Sequence, residues 1–224
     1  MQNSTIHPNA KIGANVEIGP YCYIAENVEI GDGCVIAPHV TIMDYVKIGK
    51  NCKIFPGAVI GGIPQDLKFE GEYTTAEIGD NNIIREFVTI NRGTNANKRT
   101  VIGNNNLIMA YAHVAHDCIV GNNCILANCA TLAGHVEVDD YAIIGGQSAV
   151  HQFCRIGKHV ILMGGSLVDK DIPPYVKGGK FPVSYCGINS VGLSRRGYST
   201  ETINNIQNIY RVVFQKGLTY TNAL

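Results

Sequence analysis

Four of the seven histidines in this 224-residue chain, His113, His116, His135 and His151, recur in segments spaced eighteen positions apart. An imidazole exchanges protons near neutral pH, so such a set suits a general base or a metal centre. The hexads starting at Val114, Leu132 and Val150 read Val-Ala-His-Asp-Cys-Ile, Leu-Ala-Gly-His-Val-Glu and Val-His-Gln-Phe-Cys-Arg. Asp117 follows His116 and could orient its ring. Gly134 falls eighteen residues after His116, and its N–H, with no side chain over it, could hold an oxyanion. Alternatively, histidines at chain corners simply bond to turn backbones. Two or three neutral imidazoles could also hold zinc, as in a β-helix carbonic anhydrase. A third alternative is a non-catalytic scaffold, but such surfaces repeat one outer residue and this chain's outer residues are irregular. Cys118 beside His116 could serve as a nucleophile, but its phase turns it inward. His7, His39 and His159 read as ordinary surface residues.

These residues need an element that aligns positions eighteen apart, and the apolar pattern supplies one. From Ile6 to Val168 every sixth residue is Ile, Leu or Val, except Asp66, Glu72 and Ala96. Four residues after each tooth comes a small or β-branched residue, as at Ala10, Val16, Cys22, Val28 and Cys34. A period of six fits neither a helix nor a free strand. It is the hexapeptide repeat of a parallel β-helix, an all-β prism of three short strands per coil. Coils stack about 4.8 Å apart, so each buries its teeth only against its neighbours.

The comb breaks twice, over about 61–77 and 91–101, where charged or polar residues replace the teeth. Both excursions total multiples of six, so the prism resumes in register. Either could be a tolerated surface loop; the first, with Gln65, Asp66, Leu67 and Lys68 beside bulky apolar residues, suits a polar ligand better. The prism is expected over 1–172, followed over 173–224 by an extended segment and a short C-terminal α-helix. Ser199 or Thr200 can cap that helix, Ile203, Ile206, Tyr210, Val213 and Phe214 share a face, and Lys216-Gly217 can end it. The helix is expected to cover the open last coil.

Composition excludes some partners. Formal net charge is zero with no basic run, so nucleic acid and membrane surfaces are poor partners. No apolar stretch approaches the ~18 residues of a transmembrane segment, and the start has no signal-peptide character, so cytoplasmic residence is expected. Cys22, Cys34, Cys52, Cys118, Cys124 and Cys154 take the small inward position, where they pack as compact hydrophobes; Cys34 and Cys52 stack one coil apart. No Cys-x-x-Cys pair points to structural zinc.

Several segments carry a resemblance: Pro64-Gln65-Asp66-Leu67-Lys68, Ile90-Asn91-Arg92-Gly93-Thr94, Ala112-His113-Val114-Ala115-His116-Asp117-Cys118 and Ala130-Thr131-Leu132-Ala133-Gly134-His135-Val136. Ala149-Val150-His151-Gln152-Phe153-Cys154, Pro173-Pro174-Tyr175 and Leu193-Ser194-Arg195-Arg196-Gly197 follow. Together they resemble the UDP-N-acetylglucosamine O-acyltransferases that begin lipid A synthesis. The resemblance implies a left-handed prism and a homotrimer with each site between two prisms. It also implies transfer of a 3-hydroxyacyl chain from acyl carrier protein to the sugar 3-hydroxyl, with no cofactor, no metal and no acyl-enzyme. His116 would be the base, Asp117 its support and Gly134 the oxyanion donor. Gln65, Asp66, Lys68, His135, His151 and Gln152 would contact the sugar nucleotide, Asn189 its uracil, and Arg195 or Arg196 its phosphates, with His113 lining the site. Met163 and Gly164 lie in the stretch that measures acyl length, and Val191 stands where relatives often carry an acid. The related N-acyltransferase of the same pathway carries an extra N-terminal domain, for which a comb starting at Ile6 leaves no room. The family's C-terminal region normally has several helices and is shorter here, which would weaken carrier-protein docking on its basic residues.

Overall fold

A computed structural model describes residues 3–215. Its strands form three sheets whose neighbours in the prism are one coil apart in sequence, the topology of a left-handed parallel β-helix. The first sheet runs from Thr5–Ile6 to Leu167–Val168 and contains His113–Val114. The second runs from Lys11–Ile12 to Arg155–Ile156. The third begins at Glu17–Ile18 and ends with Val176–Gly179 and an antiparallel partner, Ser184–Ile188. Most strands are two residues long, one out and one in, because the chain must turn after each tooth. The inward teeth fill the prism: Ile24, Ile42, Ile60, Leu132 and Ile144 are fully buried. Burying each such side chain contributes about 1.5–3 kcal/mol.

The three outer faces are unlike. The second face carries charges in alternation, Lys11, Glu29, Lys47 and Glu77, with Lys11 and Glu29 paired at 2.8 Å. The first is mixed, with Tyr23, Thr41 and Val59 below and Leu167 at its top, and His113 stands in it between Thr89 and Thr131. The third presents Ile83, Leu107, Ile125, Ile143 and Ile161 in one column. At most corners one residue takes a positive φ, such as Asp117 at 60°, His135 at 64° and Phe153 at 66°. Aromatic residues there stack along the prism, as in Tyr21–His39, Phe87–Tyr111 and His135–Phe153.

The C-terminal part departs from expectation. Helix α1 (Ser190–Arg195) precedes helix α2 (Thr200–Gln215), which Ser199 caps through Thr202 N–H at 3.1 Å. Helix α2 reaches the end of the prism through Tyr210, which packs against the core and donates to Pro174 O at 2.7 Å. It packs on α1 and on Ser184–Ile188, where Tyr210 and Phe214 stack near Tyr185, and none of its residues is fully buried. The antiparallel strand takes the place at the end of the third sheet, with Val176 and Val183 buried. The expected stop at Lys216-Gly217 lies outside the described residues. The second correction is His159. It is 6% exposed, its ring lies between Tyr141 at 4.9 Å and Tyr175 at 5.6 Å, and Tyr198 Oη sits 3.1 Å from its Nε2.

Candidate active site

The edge where the first face turns into the second carries the chemistry. His116 and Asp117 follow the strand His113–Val114, and Gly134 and His135 occupy the same turn one coil above. His151, Gln152 and Phe153 continue the column after Ala149–Val150. The dyad is formed: His116 Nδ1 lies 2.8 Å from an Asp117 carboxylate oxygen. Asp117 is 1% exposed. Burial pushes its carboxyl up, but hydrogen bonds from Thr94 and His116 outweigh that and hold it below the usual carboxylate range. An ionised acceptor fixes the His116 proton on Nδ1 and leaves the Nε2 lone pair free. His135 stands edge-on to His116 at 5.2 Å, its Nε2 3.7 Å from Asp117, and stacks on Phe153 at 4.5 Å. His113 Nδ1 pairs with Thr89 Oγ1 at 2.7 Å, and burial, aided by His116, lowers its pKa and favours the neutral ring.

Gly134 lies directly against the base. A Cβ there would stand 2.5 Å from His116 Cε1 and 2.7 Å from Nε2. Its N–H donates to no backbone carbonyl among the described residues. An unspent donor beside a basic nitrogen can serve one reacting centre: Nε2 takes a proton while the N–H receives a developing oxyanion.

Both excursions leave from this same edge. The first joins Val59–Gly62 to Thr75–Ile78, and the second joins Thr89–Asn91 to Arg99–Ile102. The second is no passive loop. It folds over Asp117, and Thr94 and Asn97 bond to the carboxylate. It also braces the first: Glu72 accepts from Asn95 N–H at 3.0 Å, and the buried Arg92 guanidinium sits over Tyr45 and Phe69 at 5.2 and 5.3 Å. Gln65 and Lys68 are exposed on the first excursion, and Asp66 accepts from Lys68 N–H at 3.0 Å. Sequence reasoning missed Thr94, Asn97, Glu72 and Arg92. One available signal was overlooked. With the inserted hexads removed, Ile60, Ile90 and Val114 count onto the same face, so both excursions must border His116.

His116, Asp117 and His135 also bring ligand-type atoms within 4.8 Å of one another. Zinc–ligand bonds are about 2.0–2.2 Å. Here Asp117 already accepts from Thr94, Asn97 and His116, and a metal would have to part the 2.8 Å imidazole–carboxylate bond. The donor set fits a hydrogen-bonded dyad better than a metal centre. Nor is Cys118 poised to act. It is fully buried, donates to Ala133 O at 3.1 Å, and burial pushes its thiol up to about 12. Cys118→Ala is therefore expected to keep turnover within about threefold, the small methyl fitting the same inward position; loss of activity in a folded variant would restore a thiol mechanism.

The UDP-N-acetylglucosamine O-acyltransferase domain 2 model matches residues 171–224, and the bacterial hexapeptide transferase model matches 1–30, 9–44, 27–62 and 99–134. An acyl-[acyl-carrier-protein]–UDP-N-acetylglucosamine O-acyltransferase of Thiobacillus denitrificans is 49% identical, covering 98% of this chain and 88% of its own length. This chain belongs to the UDP-N-acetylglucosamine O-acyltransferase family. The crystal structure of the family member LpxA of Bacteroides fragilis superposes with a TM-score of 0.98 at 55% identity, over 100% of this chain and 88% of that one. LpxA of Acinetobacter baumannii gives 0.96 at 44% identity, over 100% and 87%.

Not every residue expected from the family resemblance reaches this edge. Met163 and Gly164 lie at the turn from the third face to the first, between Ile161–Leu162 and Leu167–Val168. Asn189, Arg195 and Arg196 lie near the remaining edge, with Tyr141, His159 and Tyr175. The Asn189 side chain is committed there. Its amide donates to His159 O at 2.9 Å and its oxygen caps α1 through Gly192 N–H at 3.1 Å. Arg196 reaches Tyr141 O at 3.3 Å and lies over the Tyr141 ring, whereas Arg195 and Val191 are exposed. Asn189, the residue expected to meet the uracil, is the N-cap of α1 within this chain.

Proposed function

We propose that this chain transfers a 3-hydroxyacyl group from an acyl carrier protein thioester to the 3-hydroxyl of UDP-N-acetylglucosamine, the opening step of lipid A synthesis. The observation that carries the reading is the His116–Asp117 dyad beside the unspent Gly134 N–H. His116 Nε2 takes the hydroxyl proton as the sugar oxygen attacks the thioester carbon. The carbonyl pair moves onto oxygen, where Gly134 N–H holds it. Collapse breaks the C–S bond, and the imidazolium returns the proton to the leaving sulfur. The carboxylate opposite Nδ1 stabilises the imidazolium between the two transfers. Gln65, Asp66 and Lys68 on the first excursion, with His135, His151 and Gln152, bind the sugar nucleotide. Acyl carrier thioesters are cytoplasmic, so the reading places the enzyme there; no helix among the described residues is long and apolar enough to cross a membrane.

The reading includes a homotrimer. One chain carries Met163, Gly164 and Arg195 on edges other than the His116 edge, so a neighbouring prism has to supply them. The apolar third face and the sparsely charged first face are suited to burial between copies, and the charged second face to solvent. The test is acyl transfer to UDP-N-acetylglucosamine from 3-hydroxyacyl carriers of several lengths, with light scattering on the same sample. Product with one preferred length and a mass of three chains is expected. No transfer from any carrier would remove the reaction, and activity in a monomer would remove the shared site.

A further inference from the structure

We propose that Thr94 is a positioning residue for the catalytic dyad, the working group of a clamp formed by the second excursion; this deepens the acyl-transfer reading and rests on it. The Asp117 carboxylate is held from both sides. One oxygen accepts from Thr94 N–H at 3.0 Å and Asn97 N–H at 3.2 Å. The other accepts from Thr94 Oγ1 at 2.6 Å and His116 Nδ1 at 2.8 Å. Among the described residues Thr94 alone bonds both oxygens, and it shares the second with the base. Thr94 is buried at 6% exposed, so its hydroxyl is held in the interior with the carboxylate. The backbone of Asp117 is fixed as well, since its N–H donates to Thr100 Oγ1 at 2.8 Å.

The hydroxyl has a specific consequence for the base. A carboxylate pinned only through one oxygen can rotate about its Cβ–Cγ bond, carrying the acceptor away from Nδ1. Thr94 Oγ1 closes that freedom by fixing the oxygen that receives His116, so the ring plane and tautomer are set before substrate arrives. The loop itself is held by the first excursion through Glu72 and Asn95 N–H. Thr94 touches no reacting atom in this arrangement; it acts through Asp117.

The experiment compares Thr94→Val, which keeps the shape and removes the hydroxyl, with Thr94→Ser, which restores it. Turnover of Thr94→Val is expected to fall about tenfold with KM changed less than about twofold. Thr94→Ser is expected to recover to within about threefold of the parent. The His116 Nδ1 nitrogen resonance, followed by 15N NMR without substrate, is expected to move in the valine variant and return in the serine variant. Assays run below the melting temperature of both variants separate clamping from folding. Parental turnover in the valine variant, a serine variant as slow as valine, or an unmoved resonance would overturn the inference. An inactive parent protein would instead overturn the acyl-transfer reading, while the resonance still tests the clamp.

Discussion

Replacing His116 by alanine is expected to lower turnover about 10²–10⁴-fold, the range of a lost general base, while the prism stays intact. The imidazole is outside the core: its side chain is 13% exposed, at a turn, and among the described residues it hydrogen-bonds to Asp117 alone. Teeth above and below, Val114 and Leu132, keep their burial without it. The variant should therefore retain its circular dichroism, melting temperature and mass in solution. The residual rate would come from substrate positioning and the Gly134 N–H. Turnover equal to the parent would remove the base assignment, and with it the direct-attack mechanism.

Adding a single methyl at Gly134 is expected to be nearly as damaging as losing the base. In Gly134→Ala the new Cβ would stand 2.5 Å from His116 Cε1 and 3.1 Å from Nδ1, closer than packed atoms sit. Gly134 has no positive φ, so the backbone accepts an L-residue without strain. The ring is the flexible partner and must swing, which breaks the 2.8 Å bond to Asp117 and moves Nε2 from the oxyanion donor. Misplacing a reacting group by about 1 Å can cost about 10²-fold. We expect that loss in turnover, with a melting temperature unchanged within about 2 °C. A variant with parental turnover would show that the ring adjusts without losing its alignment.

The fold was legible because one rule governs most of the chain. A tooth every six residues has few structural solutions, and the rule also gave the vertical alignment of His116 with Gly134. What escaped were contacts that periodicity does not encode. Thr94 lies in the non-repeating second excursion, and its bond to Asp117 spans twenty-three positions of unrelated sequence. His159 looked like a surface residue because its corner phase points outward; Tyr141 one coil below, Tyr175 and, from the link between α1 and α2, Tyr198 then bury it. The C-terminal hairpin and α1 lack a strong pattern of their own and are shaped by what they lean on. Ser190–Arg195, for instance, is set by Asn189 docking on the His159 carbonyl.

The prism also behaves as a three-position dial. Removing one hexad between His116 and His135 would leave every later tooth inside but rotate all downstream corners by a third of a revolution, parting His135 from His116. Removing eighteen residues would return the later corners to their starting direction on a shorter stack. The two excursions escape this constraint because each departs and re-enters at the same corner. The coils above therefore keep their direction whatever the excursions' lengths, although the second must keep Thr94 and Asn97 on Asp117 and the first must keep Glu72 on Asn95. The stretch bearing Gln65, Asp66 and Lys68 can thus be lengthened or shortened while the histidines of the coils above stay aligned.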